Sequence, residues 1–339
     1  MLQVLALSVA ITAAGTLAAA AADEKPVELK LSHWMPATHP LHKALEDWAV
    51  AVENASSGTI RFTVHPAERL GKAQAHYDLV REGVVDVAFI EPGSQLAEFP
   101  IFAAAALPLL ISNAKGGSAA LDEWYRAYAD REVKEVKFCL VFAHEPGTLH
   151  SRSRKIFAPG DLRGLRVRVP NTMIGTLISR LGGTSMSAPE AALPALLGSG
   201  AEAAFSPWDS VLFFDFERAV KYHLDAPLYV SPIMLVINKA RFAALTQAQK
   251  KAVDAHCSTP WAVKLAAPWA EVADAARRRL NAAPGHEVYG LTPAQTAAWR
   301  TAAKTMQESW ALNARKTGID PEVAMDGLKA LLDKYKAGY

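Results

Sequence analysis

The amino-acid sequence predicts an α/β protein with two domains. The chain has 339 residues, more than one ordinary domain contains. Short apolar runs alternate with segments of helical periodicity from residue 27 onward, and a second alternation of this kind begins near Pro146. We therefore expect two sheets, each with its own helices.

The first unit shows the pattern strand-helix-strand-helix-strand. Apolar residues alternate with polar ones in residues 27–31 and 60–64, which is typical of strands, and residues 84–90 form a continuous apolar run typical of a buried strand. Residues 41–52 and 73–82 have helical spacing. Ligands on such open sheets bind beyond the carboxyl ends of the strands.

The second unit has predicted strands at 165–169, 184–187 and 201–206, separated by helical segments. Residues 228–238 form a long β-like segment, and the chain from residue 246 is mostly helical. Pro260 and Pro268 are expected to break or kink these helices.

The composition and the ends of the chain limit the function classes. The formal net charge is +2, so no broad positive field favours nucleic acid as a partner. Residues 1–22 carry no charge and end in Ala20-Ala21-Ala22, which predicts a cleaved signal peptide rather than a membrane anchor. Cys139 and Cys257 are the only cysteines, and a buried free thiol at Cys139 is favoured over a disulfide.

Motifs for catalysis are missing from the sequence. It contains no GxSxG, HExxH, GxGxxG or P-loop pattern, and its ten histidines are scattered singly. The spacing of cysteines and histidines indicates no metal site. We therefore expect a binding protein with no cofactor, and not an enzyme.

Several ordered motifs resemble the solute-binding subunit of tripartite ATP-independent periplasmic (TRAP) transporters. They include LSHWMPATHPLH from Leu31, HPAERLGKAQAHYDLVREGVVDVAF from His65 and DLRGLRVRVP from Asp161, followed by LGGTSMSAPEAALPALLGSGAEAAFSPWDS. The resemblance implies a periplasmic-binding-protein type II-like fold, in which two α/β domains enclose a ligand cleft and a long helix spans both. It also implies delivery of an organic acid to a small and a large membrane subunit, driven by an ion gradient.

The predicted domains follow from this resemblance. The first comprises residues 23–145 and 232–280, because in such proteins the segment at 228–238 returns the chain to the first domain. The second comprises residues 146–231 and 281–339. We expect a periplasmic, monomeric protein with a hinge near Pro146 and residues 228–238.

Arg168 matches the carboxylate-binding arginine of the family. Its planar fork can donate two parallel hydrogen bonds to a carboxylate and keeps its charge when buried. Ser206 stands where many members have an asparagine, and its hydroxyl can also bind an oxyanion. Some relatives carry a second pocket arginine, and in this sequence the corresponding vicinity reads Leu149-His150 and contains no arginine at that place. Arg152 or a protonated His150 remains an alternative second cation.

Aromatic residues accompany this single cation. We expect the ligand to be a monocarboxylate with an apolar or aromatic body, and a C4-dicarboxylate is the alternative. A sensory protein that reports the same acids is a further alternative. The remaining predicted ligand contacts are Trp34, Phe89, Phe205, Trp208, His33 and Glu91.

Overall fold

The computed structural model describes residues 26–94 and 98–339. The predicted signal peptide at residues 1–22 lies outside the described residues. No helix in the described part of the chain is long and apolar enough to cross a membrane.

Five strands form the first sheet, in the order β2-β1-β3-β10-β4. Strands β1, β2 and β3 are parallel, and β10 runs antiparallel to β3 and β4. Leu31 of β1 lies between Val64 and Val87 of the neighbouring strands. The strands are β1 (Val27–Ser32), β2 (Ile60–His65), β3 (Val87–Ile90), β4 (Val136–Ala143) and β10 (Pro232–Asn238).

Six strands form the second sheet, in the order β11-β9-β5-β8-β6-β7. Strand β6 is parallel to both β7 and β8, whereas β5 runs antiparallel to β8 and β9. The strands are β5 (Thr148–Ser151), β6 (Arg166–Val169), β7 (Thr184–Ser187), β8 (Ala203–Ser206), β9 (Tyr222–Leu224) and β11 (Glu287–Tyr289).

Helices cover both sheets and begin at residues suited to that position. Thr246 and Thr292 form capping boxes with a glutamine three residues later, and Asn171 caps the helix that follows β6. The helices are α1 (Pro40–Ala55), α2 (His76–Arg81), α3 (Ala114–Tyr125), α4 (Ala129–Glu132), α5 (Thr172–Arg180), α6 (Leu193–Gly198), α7 (Trp208–Phe213), α8 (Lys239–Ala243), α9 (Gln247–His256), α10 (Thr259–Ala282), α11 (Pro293–Arg315) and α12 (Pro321–Lys334).

The long helix α10 joins the two lobes of the molecule. Leu265 and Trp269 in its first part belong to the core beside the first sheet, and Leu280 near its end belongs to a core of the second lobe. Pro260 lies in the first turn, where its missing N–H costs nothing. The helix continues through Pro268 because packing on both sides supports it. A break at either proline is therefore wrong, and the alternative of a kink stays a prediction.

The segments from β4 to β5 and from β9 to β10 also cross between the lobes. They are bonded to each other, since the Gly147 N–H donates to the Tyr229 oxygen at 2.9 Å and the Leu228 N–H donates to the Gly147 oxygen at 3.0 Å. A Cβ at residue 147 would overlap the Tyr229 ring, which explains the glycine. These paired segments lie where the hinge is predicted.

The predicted domain boundaries stay a prediction, and one part of them differs from the observed packing. Strand β10 belongs to the first sheet, which agrees with the assignment of residues 232–280 to the first domain. Helix α12, assigned to the second domain, packs instead against α3 of the first lobe, where the Trp124 indole donates to the Ala324 oxygen at 2.9 Å.

The two cysteines form a disulfide, so the prediction of a free thiol at Cys139 is wrong. Cys139 lies in β4 and Cys257 directly follows α9, and their sulfur atoms are 2.07 Å apart. Both residues are buried in the first-lobe core. The bond closes a separation of 118 residues, which only the tertiary fold brings together.

Candidate functional site

Arg168 lies near the carboxyl end of β6, between the carboxyl ends of β7 and β8. Its side chain is 4% exposed. The Arg168 Nε donates to the Ala188 oxygen at 2.9 Å, and Nη1 donates to the Phe205 oxygen at 2.8 Å. The guanidinium is therefore fixed by backbone oxygens of both neighbouring strand ends.

Arg168 and Ser206 together hold one carboxylate, that of Glu190. The Arg168 Nη1 donates to Glu190 Oε1 at 2.7 Å, and the Ser206 Oγ donates to Oε2 at 2.8 Å. We call this pair of donors the Arg168–Ser206 clamp. The structure thus brings together the two residues that the sequence predicted as carboxylate contacts, and both bind a carboxylate.

Glu190 is a site residue that the sequence reasoning missed. It begins a short 3-10 turn three positions after the last residue of β7, the strand beside β6. An acidic residue three positions past β7 lies at the ligand edge of the sheet, and the pairing of β7 with β6 brings it to Arg168.

Glu91 brings the first lobe to this clamp. It directly follows β3, and its carboxyl group is hydrogen-bonded to the Ser231 side chain. Burial raises the pKa of Glu91 and the nearby Glu190 adds to this rise, whereas the Ser231 hydrogen bond and the Arg168 charge oppose it. A predicted contact of the first lobe is therefore close enough to interact electrostatically with the clamp of the second.

Tyr229 adds a buried hydroxyl to the same region. Its pKa is raised well above the usual value by burial and by the Glu190 charge. Its phenolic oxygen has no hydrogen-bond partner among the described residues, and its ring lies 6.0 Å from that of Phe205. A buried polar atom of this kind is costly unless something binds it.

His150 supports the clamp from behind and does not supply a second positive charge. Its Nε2 lies 3.2 Å from the Ser206 oxygen and its Nδ1 lies 2.8 Å from Nδ1 of His223, whose Nε2 lies 2.9 Å from Nδ1 of His286. Because a carbonyl oxygen only accepts, the hydrogen-bond network assigns the proton of neutral His150 to Nε2, and His223 then donates to His150.

Burial keeps His150 and His223 neutral. It lowers the pKa of His150 well below the usual value, helped by His223, and it lowers the pKa of His223 to about 3, helped by His286. Arg152, the other alternative for a second cation, is exposed and donates to the backbone oxygens of Leu197 and Ala201. Neither His150 nor Arg152 therefore places a second positive charge beside Arg168.

The predicted aromatic contacts differ in their placement. Phe89 is fully buried in the first-lobe core, and Trp34 packs over it at 4.2 Å between ring centroids while remaining partly exposed. Trp34 is thus the ring of this pair that keeps solvent-accessible surface. Phe205 is buried beside Tyr229, and Trp208 packs edge-on against His150 at 5.3 Å.

His33 is buried beneath the first-lobe end of the cleft. Its Nε2 lies 3.0 Å from Nδ1 of His42, while its Nδ1 has no hydrogen-bond partner in the described part of the chain. Burial lowers its pKa to about 3, with His42 as a further cause. In the ranges 26–94 and 98–339, no cluster of three or more His, Cys, Asp or Glu side chains is arranged to hold a metal ion.

Residues 31–313 match the family model described as bacterial extracellular solute-binding protein, family 7. The chain belongs to this family. A curated relative, the outer membrane transporter protein TsaT of Comamonas testosteroni, is 23% identical over 312 residues, which are 89% of this chain and 90% of the relative.

Solved structures of TRAP solute-binding proteins have the same fold. One from a marine metagenome, specific for aromatic acid ligands and bound to metahydroxyphenylacetate, has a TM-score of 0.83 and 28% identity, covering 91% of this chain and 99% of that one. One from Rhodoferax ferrireducens in complex with benzoate has a TM-score of 0.83 and 25% identity, and the match covers 91% of this chain and 98% of that one. One from Bordetella bronchiseptica with bound mandelate has a TM-score of 0.84 and 26% identity, and the match covers 91% of this chain and 99% of that one.

These findings confirm the predicted fold class and the resemblance to TRAP solute-binding proteins. Proteins of this class are periplasmic, bind small organic acids and work with membrane subunits. The family and its structural neighbours are binding proteins and not enzymes.

Proposed function

We propose that this protein binds the carboxylate of an aromatic monocarboxylic acid in the Arg168–Ser206 clamp and delivers the acid to the membrane subunits of a TRAP transporter. The observation that supports this proposal is the bound carboxylate of Glu190, since each of its oxygens accepts a hydrogen bond from one of the two predicted ligand contacts. A buried arginine fixed by backbone oxygens is preorganised for a carboxylate ligand.

The charges around the clamp favour a ligand with a single carboxylate. Arg168 is accompanied by Glu91 and Glu190, whereas His150 is neutral and Arg152 binds carbonyl oxygens elsewhere. A second carboxylate of a C4-dicarboxylate would enter a buried region that already holds acidic groups, and burying a charge without a partner is costly.

Rings near the clamp favour an aromatic body. Tyr229 lies within electrostatic reach of Arg168 and Glu190, and Trp34 is the partly exposed ring of the first lobe. Flat apolar walls suit an aromatic ligand. Three solved relatives at 25–28% identity were solved with metahydroxyphenylacetate, benzoate and mandelate, which are aromatic acids.

The protein's place in the cell completes the proposal. We propose that residues 1–22 direct export and are removed, and that the mature protein acts as a monomer in the periplasm. Its ligand contacts come from the two lobes of one chain, so the site needs no second copy.

A thermal-shift panel tests the ligand class. A ligand that binds only the folded state stabilises it by RT ln(1 + [L]/Kd), so the acids that bind raise the melting temperature. Benzoate, 3-hydroxybenzoate and mandelate should give the largest shifts, succinate and malate the smallest, and calorimetry should confirm one site per chain. The largest shift from a C4-dicarboxylate would contradict the aromatic assignment.

A further inference from the structure

The carboxylate of Glu190 occupies one Arg168 donor and the Ser206 hydroxyl, the two donors in which we propose that a ligand carboxylate binds. Its Oε1 accepts from Arg168 Nη1 at 2.7 Å and its Oε2 accepts from Ser206 Oγ at 2.8 Å. Each oxygen has a donor of its own, which is the two-point geometry expected for a bound acid. Any acid that uses the same two donors has to compete with this side chain.

Arg168 does not depend on Glu190 for its orientation. The Ala188 oxygen holds Nε at 2.9 Å and the Phe205 oxygen holds Nη1 at 2.8 Å. Both acceptors are backbone atoms at the ends of strands, so the guanidinium stays in place when the Glu190 carboxylate leaves. A purely orienting role for Glu190 would duplicate what these oxygens already provide.

Glu190 is also the member of this group that can reach water. Its side chain is 23% exposed, compared with 4% for Arg168, and Ser206 is fully buried. Movement of the glutamate outward returns its charge to solvent, and no carboxylate is left buried without a partner. Removal of the charge to water avoids the main cost of breaking a buried ion pair.

Electrostatic repulsion opposes simultaneous occupancy. Glu91 already lies close enough for its charge to interact with Arg168 and Glu190. If a ligand carboxylate joined both glutamates, three acidic groups would share one guanidinium in a region with little water, where like charges repel strongly. Displacement of the partly exposed glutamate relieves this repulsion.

We propose that Glu190 is an internal competitor, which occupies the Arg168–Ser206 clamp in the unliganded protein and is displaced by the carboxylate of the transported acid. This inference rests on the proposed function. Glu190 lowers the affinity for every acid by a fixed factor, and its return to the clamp replaces the hydrogen bonds that a departing acid gives up. It therefore favours release at the membrane and keeps the empty site from retaining unrelated small anions.

Substitution of Glu190 tests this proposal with benzoate as the probe. Glu190→Gln and Glu190→Ala should bind benzoate about tenfold more tightly than the wild-type protein, the affinity equivalent of one hydrogen bond to a charged group. Glu202→Gln is the matched control, because it removes an acidic group that accepts from the Arg166 backbone N–H on the same sheet. The control should leave the affinity unchanged.

Acetate gives a second test that does not depend on the identity of the transported acid. In Glu190→Ala the clamp lacks its carboxylate, so acetate should raise the melting temperature of this variant more than that of the wild-type protein or of Glu202→Gln. Benzamide, which has no carboxylate, should not gain affinity from either Glu190 substitution.

The outcomes separate the two proposals. Folded Glu190 variants that bind benzoate as weakly as the wild-type protein or more weakly, or that show no additional stabilisation by acetate, would overturn the competitor role. A wild-type protein that binds no acid of the panel would instead refute the proposed function, and the acetate comparison would still report on the clamp.

Discussion

Replacement of Arg168 by lysine isolates the contribution of the planar fork, because lysine keeps the charge and loses the geometry. The guanidinium makes three hydrogen bonds, to the oxygens of Ala188, Phe205 and Glu190. A lysine ammonium is a compact donor on a flexible stem, and it can satisfy only part of this set while also facing a ligand.

The expected magnitude follows from these contacts. Loss of one partner from a desolvated charge pair costs about 2–5 kcal/mol. The retained charge in Arg168→Lys places the loss near the lower end, at about 2 kcal/mol, which corresponds to roughly 30-fold in affinity. Because two of the three acceptors are backbone atoms at strand ends, we also expect a small decrease in the melting temperature of the unliganded protein.

Titration calorimetry with the most stabilising acid of the panel provides the measurement. Circular dichroism and thermal melting of the same sample establish that the variant is folded. Arg166→Lys is the matched control, since Arg166 lies in the same strand and is exposed. Equal affinity of folded Arg168→Lys and the wild-type protein would refute the assignment of Arg168 as the carboxylate contact.

Three further predictions concern closure, the disulfide and pH. Binding should reduce the radius of gyration in small-angle scattering, and an unchanged curve at proven saturation would exclude closure. Reduction of the Cys139–Cys257 bond, which closes a separation of 118 residues, should lower the free energy of unfolding by about 5 kcal/mol in urea titrations. The variant in which both cysteines are replaced by serine should have the same free energy of unfolding with and without reductant. His33 and His223 have pKa values of about 3 in the fold, below the unfolded value of 6.5. The unfolded state therefore binds more protons than the folded state below pH 6.5. As the pH decreases from 6.5 to about 3, each of these histidines should lower the free energy of unfolding by up to about 1.4 kcal/mol per pH unit. The pH dependence should be less steep in His223→Asn.

The sequence predicted most of the fold because its strands carry a local signal. Strands β1, β2 and β7 begin where alternation or turns predict them, within one residue. Strand β3 begins three residues late, because Gly83 with a φ of 77° belongs to a turn that precedes it. Strands β4, β5, β9 and β11 were not predicted, and the three residues of β9 and of β11 contain too little periodicity.

The remaining misses depend on contacts that are distant in sequence. Cys139 and Cys257 pair only because α9 packs near β4, and a sequence pattern carries no information on that approach. Helix α10 continues through Pro268 because cores on both sides support it. In each case tertiary packing outweighs the local preference.

The candidate site was predicted in part for a related reason. Arg168 has a motif, and parallel strands bring Ser206 to the same edge, so both were predictable. Alternation along a strand does not say which of two buried faces lines a cleft, and Phe89 therefore proved to be core. Glu190 lacks a motif of its own, and its role follows only from the register that places the end of β7 beside Arg168.

The division of contacts between the lobes indicates an order of events in binding. Arg168, Ser206 and Glu190 all lie on the second sheet, so exchange of the Glu190 carboxylate for that of the ligand requires no movement of the first lobe. Glu91 and Trp34 follow strands of the first sheet, so we expect their contacts with the body of the ligand to depend on how closely the lobes approach. We therefore expect carboxylate capture to precede closure, and we expect the body of the acid to determine how strongly closure is favoured, because a ligand shifts a conformational equilibrium only through its differential contacts with the two states. A small anion such as acetate is therefore expected to occupy the clamp without closing the protein.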